Sequence, residues 1–115
     1  MKVAVVGSRT FNNYEQLIET LDNLRENNIV DEIISGGARG ADALAEQYAR
    51  EYEIKMTVIK PDWSLGRHAG ILRNTDIIAA SDLVVAFYDG HSRGTADSIK
   101  KAKAMGKSLI VVKFD

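Results

Sequence analysis

Six of the nine glycines in this 115-residue chain fall in three short stretches, each directly after a run rich in Val and Ile: Gly7-Ser8-Arg9, Gly36-Gly37-Ala38-Arg39-Gly40 and Gly90-His91-Ser92-Arg93-Gly94-Thr95. Glycine lets the main chain approach a ligand closely, and a helix beginning just after such a loop offers unpaired N–H groups and a partial positive charge. Loops of this kind can cradle a phosphate. One of them alone is more often a tight turn between strand and helix. Three that converge weigh more, because ligands of open α/β sheets favour the crevice where the strand order reverses.

Arginine placement points the same way. Arg9, Arg39, Arg67, Arg73 and Arg93, five of the seven, lie in or just after the post-strand loops, while Arg25 and Arg50 sit late in helix-like stretches. The planar guanidinium fork suits phosphate or carboxylate, and each charge-assisted hydrogen bond contributes about 1.5 to 3 kcal/mol. The competing expectation is that these arginines pair with Asp42, Asp62, Asp89 and Asp97, which lie close by in sequence. The segment Lys60-Pro61-Asp62-Trp63-Ser64-Leu65-Gly66-Arg67 holds the only Pro and the only Trp. Trp63 either stacks on a base or covers the core beneath a long loop, and Asn74 either holds a ribose or a loop carbonyl. Ser8, Ser92 and Thr95 suit hydroxyl donation to phosphate better than nucleophilic attack, since neither His68 nor His91 has a spacing that implies a Ser-His-acid triad. Asp42, Asp89 and Asp97 could serve as acid or base, with Asp42 and Asp97 the leading candidates. With two lone histidines and no Cys, neither a metal site nor a bound cofactor is expected.

The elements that must position these residues alternate between short apolar runs and amphipathic stretches, the pattern of a parallel sheet. Lys2 to Val6, Glu32 to Ser35, Lys55 to Lys60, Asp82 to Phe87 and Ser108 to Lys113 read as five strands. Tyr14, Leu17, Ile18, Leu21 and Leu24 mark a first helix, with Asn13 as N-cap and Gln16 completing a box-like pair. Leu44, Ala45, Tyr48, Ala49 and Tyr52 mark a second, roughly His68 to Ala80 a third, and Ala96, Ile99, Ala102 and Met105 a fourth that stops at Gly106. Right-handed crossovers then put helices on both faces of the sheet, and strand order 3-2-1-4-5 sets the switch point between the first and fourth strands. The expected fold is a three-layer Rossmann-like sandwich filling residues 1–115 as one domain.

Composition limits the partners. The chain is 45% hydrophobic and 27% charged, with no low-complexity run and no apolar stretch long enough for a signal peptide or membrane span. A cytoplasmic protein without membrane contact is the expectation, and the absence of Cys fits a reducing compartment. Fifteen basic against sixteen acidic side chains give a net charge of −1, so anion binding must be local. Together with an aromatic content of 7%, this argues against nucleic acid as a partner, since single-strand binders need a positive groove with stacking rings.

Four motifs occur together along nearly the whole chain: Gly7-Ser8-Arg9-Thr10-Phe11, Ser35-Gly36-Gly37-Ala38-Arg39-Gly40-Ala41-Asp42, Gly66-Arg67-His68-Ala69-Gly70-Ile71-Leu72-Arg73-Asn74 and Ser92-Arg93-Gly94-Thr95. In these the sequence resembles the YspA-like, cpYpsA-related branch of the SLOG superfamily. The resemblance implies a Rossmann-like fold related to the LOG phosphoribohydrolases and to the Rossmann domain of the DNA-processing protein. It also implies a nucleotide, ADP-ribose or another NAD-derived ligand, often in bacterial or phage settings. Carried over by position, Gly7, Ser8, Arg9, Gly36, Gly37, Arg39, Gly40, Asp42, Arg73, Asn74, Ser92, Gly94 and Thr95 would line the pocket; Trp63 and Arg67 join them on the reading above. LOG enzymes share a PGG-x-GT-xx-E motif, whereas here Ser98 stands in the place of the catalytic Glu. Asp97 is one residue off, about 100° away around a helix. This departure argues against N-glycosidic hydrolysis of the LOG kind.

The expectation is therefore a sensor or processing domain that binds a phosphate-bearing nucleotide or derivative: ADP-ribose- or NAD-derived, or a nucleoside monophosphate. The alternatives are a nucleotide hydrolase acting on an N-glycosidic or phosphoester bond and, behind it, a single-strand nucleic-acid binder. A homodimer or higher homo-oligomer is a further expectation, dimers being the commonest assembly among oligomers.

Overall fold

The computed structural model describes residues 1–114. Its elements follow in the order β1 (Lys2–Gly7), α1 (Tyr14–Glu26), β2 (Glu32–Ser35), α2 (Ala41–Glu51), β3 (Lys55–Val58), a 3₁₀ turn (Trp63–Leu65), α3 (Ala69–Ala80), β4 (Leu83–Tyr88), α4 (Arg93–Ala104) and β5 (Ser108–Lys113). All four strand pairings are parallel and the order is β3-β2-β1-β4-β5. This is the expected Rossmann-like α/β architecture.

Strand side chains alternate between two cores. Val3, Val5, Ile33, Leu83, Val85 and Phe87 pack against Leu17, Leu21 and Leu24 of α1 and Ala45 and Tyr48 of α2. Their neighbours Ala4, Val6, Ile34, Val84 and Ala86 face Ile77 and Ile78 of α3 and Ala102 of α4. Near-continuous apolar strands are what a sheet covered on both faces requires. With α1 and α2 on one face and α3 and α4 on the other, the chain changes face between β1 and β4, which lie side by side.

Element boundaries differ from the sequence reading in physically simple ways. The ladder of β3 ends at Val58, not Lys60, although Ile59 N–H still reaches the Ser35 carbonyl at 2.9 Å. Pro61 has no N–H with which to continue it. Helices α2 and α4 begin at Ala41 and Arg93, a turn ahead of their clearest apolar stripes, because the first turns are built on loop contacts and caps. Asn13 caps α1 as expected, its Oδ1 accepting from Gln16 N–H at 3.1 Å. Gly106, at φ 68°, follows the end of α4.

Candidate functional site

Ser8 ties the carboxyl edge of the sheet together. Its N–H donates to the Phe87 carbonyl at 3.0 Å, and its own carbonyl accepts from Phe11 N–H at 3.1 Å and Ala41 N–H at 3.4 Å. Its hydroxyl accepts from Asp89 N–H at 3.4 Å. The loops after β1 and β4 and the start of α2 are thereby held against one another. Gly7 makes this possible: a Cβ there would lie 2.6 Å from the Ala41 Cβ and 2.7 Å from the Phe87 carbonyl oxygen.

Between these loops and α3 opens a cleft of about 530 Å³. Of the residues singled out in the sequence, Gly7, Ser8, Arg9, Asp42, Trp63, Arg67, Arg73, Asn74, Ser92, Gly94 and Thr95 line it. Gly36, Gly37, Arg39 and Gly40 do not reach its wall; from their loop Ala38 does so instead. Gly40 turns the chain at φ 74° and ψ −127°, and Arg39 beside it is exposed. Sequence reasoning missed Val6, Thr10, Gly70, Ile71 and Ile77 as lining residues. Val6 and Ile77 carried only a core signal.

Asp42 is buried at 6% exposure, and one carboxylate oxygen accepts from Gly36 N–H at 3.1 Å and Ala38 N–H at 3.2 Å. Burial pushes its pKa up to about 6, against the opposing pull of the Ala38 N–H, the Arg73 charge and the Gly36 N–H. Arg73 donates to the Gly36 carbonyl and, at 3.1 Å, to Asn74 Oδ1. The glycine loop is thus clamped through its amides by Asp42 and through a carbonyl by Arg73. Asn74 Nδ2 lies 3.4 Å from both the Gly94 carbonyl and Asp97, so its amide supports the loop carbonyl.

At the start of α4, the Ser92 hydroxyl accepts from Thr95 N–H at 3.3 Å and meets the Thr95 hydroxyl at 3.0 Å. Asp89 braces the same loop from outside the helix, accepting from the N–H groups of His91 and Ser92 at 2.8 Å each. Those donors hold its carboxyl below the usual range. Ser98, a turn further along, is 2% exposed and lines the cleft floor. Asp97 does not line it, being held by Lys101 at 2.8 Å. Trp63 is 62% exposed at the rim, so it does not cover the core.

The aspartates are therefore engaged elsewhere. Asp42 and Asp89 hold backbone N–H groups, Asp62 holds Ser64, and Asp97 holds Lys101. Among the described residues, none of Arg9, Arg39, Arg67, Arg73 and Arg93 has a carboxylate within ion-pair distance. No group of three or more His, Cys, Asp or Glu suited to a metal occurs among those residues, and no helix is long and apolar enough to cross a membrane.

The family description "YspA, cpYpsA-related SLOG family" matches residues 1–66, from β1 through the 3₁₀ turn. The chain belongs to this family. A family-level relationship also extends over most of the chain. The Gene 61 protein of Mycobacterium phage D29 is 30% identical over 117 residues, which cover 95% of this chain and 94% of that protein. Its source fits the bacterial or phage setting implied by the resemblance. Among solved structures, DNA processing protein A of Helicobacter pylori, described for its single-stranded DNA binding mode, is 24% identical with a TM-score of 0.76 over 96% of this chain. DNA processing protein A of Streptococcus pneumoniae is 20% identical with a TM-score of 0.79 over 99%. The protein TM1055 is 25% identical with a TM-score of 0.69 over 94%. The SLOG chain spans 64%, 50% and 71% of those three chains respectively. The two DNA-processing proteins establish likeness of fold.

Proposed function

We propose that the cleft binds a phosphate-bearing nucleotide or nucleotide derivative, ADP-ribose- or NAD-derived or a nucleoside monophosphate, and that the chain acts as a sensor or processing domain for it. SLOG membership supports a nucleotide-related or DNA-processing role. The observation that carries the finer reading is the set of arginines around the cleft, of which Arg9 and Arg67 line it with no carboxylate within ion-pair distance among the described residues. Guanidinium groups left unpaired beside a helix N-terminus are suited to phosphate. In this reading the first amides of α4 and the hydroxyls of Ser92 and Thr95 take the phosphate, Arg9 and Arg67 close over it, and Trp63 stacks on the base.

Calorimetry with AMP, ADP-ribose, NAD and cyclic nucleotides tests this directly. At least one binds in the micromolar to submillimolar range, and Arg9→Ala weakens it by about tenfold or more, the loss of one charge-assisted hydrogen bond. Silence from every ligand at millimolar concentration overturns the reading.

A second reading, hydrolysis of the nucleotide, draws on Asp42, a cleft-lining acid whose pKa is pushed up to about 6 and so suits general acid work near neutrality. Asp97 has no such support, being paired with Lys101 outside the cleft wall. Free base appearing on chromatography, and lost in Asp42→Asn, would favour the enzyme. A cytoplasmic setting and a homodimer or larger homo-oligomer belong to the same reading, and sedimentation equilibrium measures the assembly.

A further inference from the structure

A polar group taken out of water needs a partner inside the protein, and almost every buried polar side chain here has one. Ser35 meets Glu46, Glu32 accepts from the Thr57 hydroxyl, and Ser81 donates to the Ile78 carbonyl at 2.9 Å. Ser8, Asp42, Asn74 and Thr95 make the loop contacts described above. Ser98 is the exception. A helical hydroxyl often bonds back to the carbonyl a turn earlier, as Thr20 of α1 does to Gln16 at 2.9 Å. The Ser98 hydroxyl has neither that partner nor another among the described residues, although the residue is only 2% exposed. None of those residues has a side-chain N or O that is both sealed from solvent and unpartnered, so the exposure Ser98 retains includes its hydroxyl. That exposure is to the cleft, which Ser98 lines.

Gly94 and Thr95 lie four and three residues before Ser98 on one face of α4, and all three line the cleft. The first turn of the helix, where the proposed phosphate sits, is therefore one turn, about 5 Å, from this hydroxyl. Val6 and Ile77, both almost wholly buried, share the cleft wall with it. The cations of the cleft stand elsewhere. Arg9 and Arg67 are exposed, and Arg73 is turned to the Gly36 carbonyl. The depth of the cleft thus suits an uncharged group that can form a hydrogen bond.

We infer that Ser98 is the specificity-determining residue of the cleft: its hydroxyl pairs with a free ribose hydroxyl and so selects a ribonucleoside 5′-monophosphate unit over deoxy and ribose-phosphorylated ones. The inference rests on the nucleotide reading of the cleft and deepens it by naming the sugar. With the phosphate on the first turn of α4 and the base at Trp63 on the rim, the sugar between them is the part that reaches the floor. A serine hydroxyl both donates and accepts, so it pairs with a sugar hydroxyl in either sense. An analogue lacking that hydroxyl is rejected, because it leaves the buried serine without a partner. A second phosphate on the sugar is rejected for want of a cation at that depth.

The test is calorimetry with AMP, 2′-deoxy-AMP, 3′-deoxy-AMP and adenosine 3′,5′-bisphosphate, on the whole chain and on Ser98→Ala and Ser81→Ala. Alanine is the better helix former, so Ser98→Ala keeps α4 intact. Ser81 is as deeply buried but partnered within the protein, so its variant reports the loss of a hydroxyl as such. In the wild type, at least one deoxy analogue and the bisphosphate bind about tenfold more weakly than AMP, the worth of one hydrogen bond whose protein partner is left unpaired. Ser98→Ala binds AMP as weakly as the wild type binds that deoxy analogue and no longer distinguishes the two. Ser81→Ala keeps the wild-type preference. Equal binding of AMP and both deoxy analogues by the wild type, or a bisphosphate as tight as AMP, overturns the inference while the nucleotide reading stands. A preference that survives Ser98→Ala, or is lost equally in Ser81→Ala, does the same. If AMP fails to bind but another nucleotide binds, this inference alone falls; if no nucleotide binds, both fall.

Discussion

Asp42 contributes to the cleft mainly by holding the loop that forms part of its wall. Its folded pKa, about 6, lies above the ordinary value near 4, so between those limits the folded state binds the extra proton. That contribution to stability is present at low pH and lost as pH rises from about 4 to about 6. Asp42→Asn removes the titration. Relative to the wild type, the variant gains about 2 to 3 kcal/mol between pH 4 and pH 7, which urea midpoints at both pH values measure. Subtracting the wild type isolates this effect from Glu32 and Asp89, whose lowered pKa values act in the opposite direction. At the rim, Trp63→Ala leaves stability nearly unchanged because the ring is 62% exposed, and weakens a nucleotide by about 1 to 3 kcal/mol if the base stacks there, as calorimetry reads. The sequence singled out both residues. It did not reveal that Asp42 grips amides while Ala38, rather than Arg39, reaches the cleft, because that depends on how the loop turns at Gly40.

Elements were far more legible than side-chain roles. Apolar runs and helical stripes specify the order of strands and helices, and the handedness rule for parallel crossovers leaves few ways to assemble them. What escaped were first turns, where capping and loop contacts replace the hydrophobic stripe. Two caps separate structure from function: Ser92 caps α4 at the cleft and Asn13 caps α1 away from it. Ser92→Ala and Asn13→Ala each cost about 1 kcal/mol in denaturant titration. On the proposed reading of the cleft, only Ser92→Ala is expected to lower nucleotide affinity as well, which calorimetry reads. A steeper loss is expected at Gly40, where positive φ is joined to a Cβ that would lie 2.3 Å from the Ser8 carbonyl oxygen. Gly40→Ala destabilises by about 2 to 4 kcal/mol, measured by urea midpoint, because the loop after β1 must give way as well as the backbone.

At the scale of the molecule, the expectation against nucleic acid is weaker than net charge made it. It rested on a sum over charges, and the sum cancels a basic row on α4 against an acidic one on α1. Composition carries no positions, so this separation emerges only when the sheet sets the two helices on opposite faces. The same layering gives ligand binding a global consequence. The cleft draws on α2 from one layer and on α3 and α4 from the other, joined through β1. A ligand seated there, as proposed, would bridge both layers and bind the folded chain alone. At a concentration of about 100 times its Kd it stabilises the fold by about 2.7 kcal/mol, which for a domain of this size raises Tm by about 10 °C. Arg9 and Arg67 are both exposed, so Arg9→Ala/Arg67→Ala should unfold near the wild-type temperature without ligand and lose most of the ligand-induced rise. Differential scanning calorimetry separates the outcomes: a lower ligand-free Tm would assign these arginines to the fold, whereas an undiminished rise would put the phosphate beyond their reach.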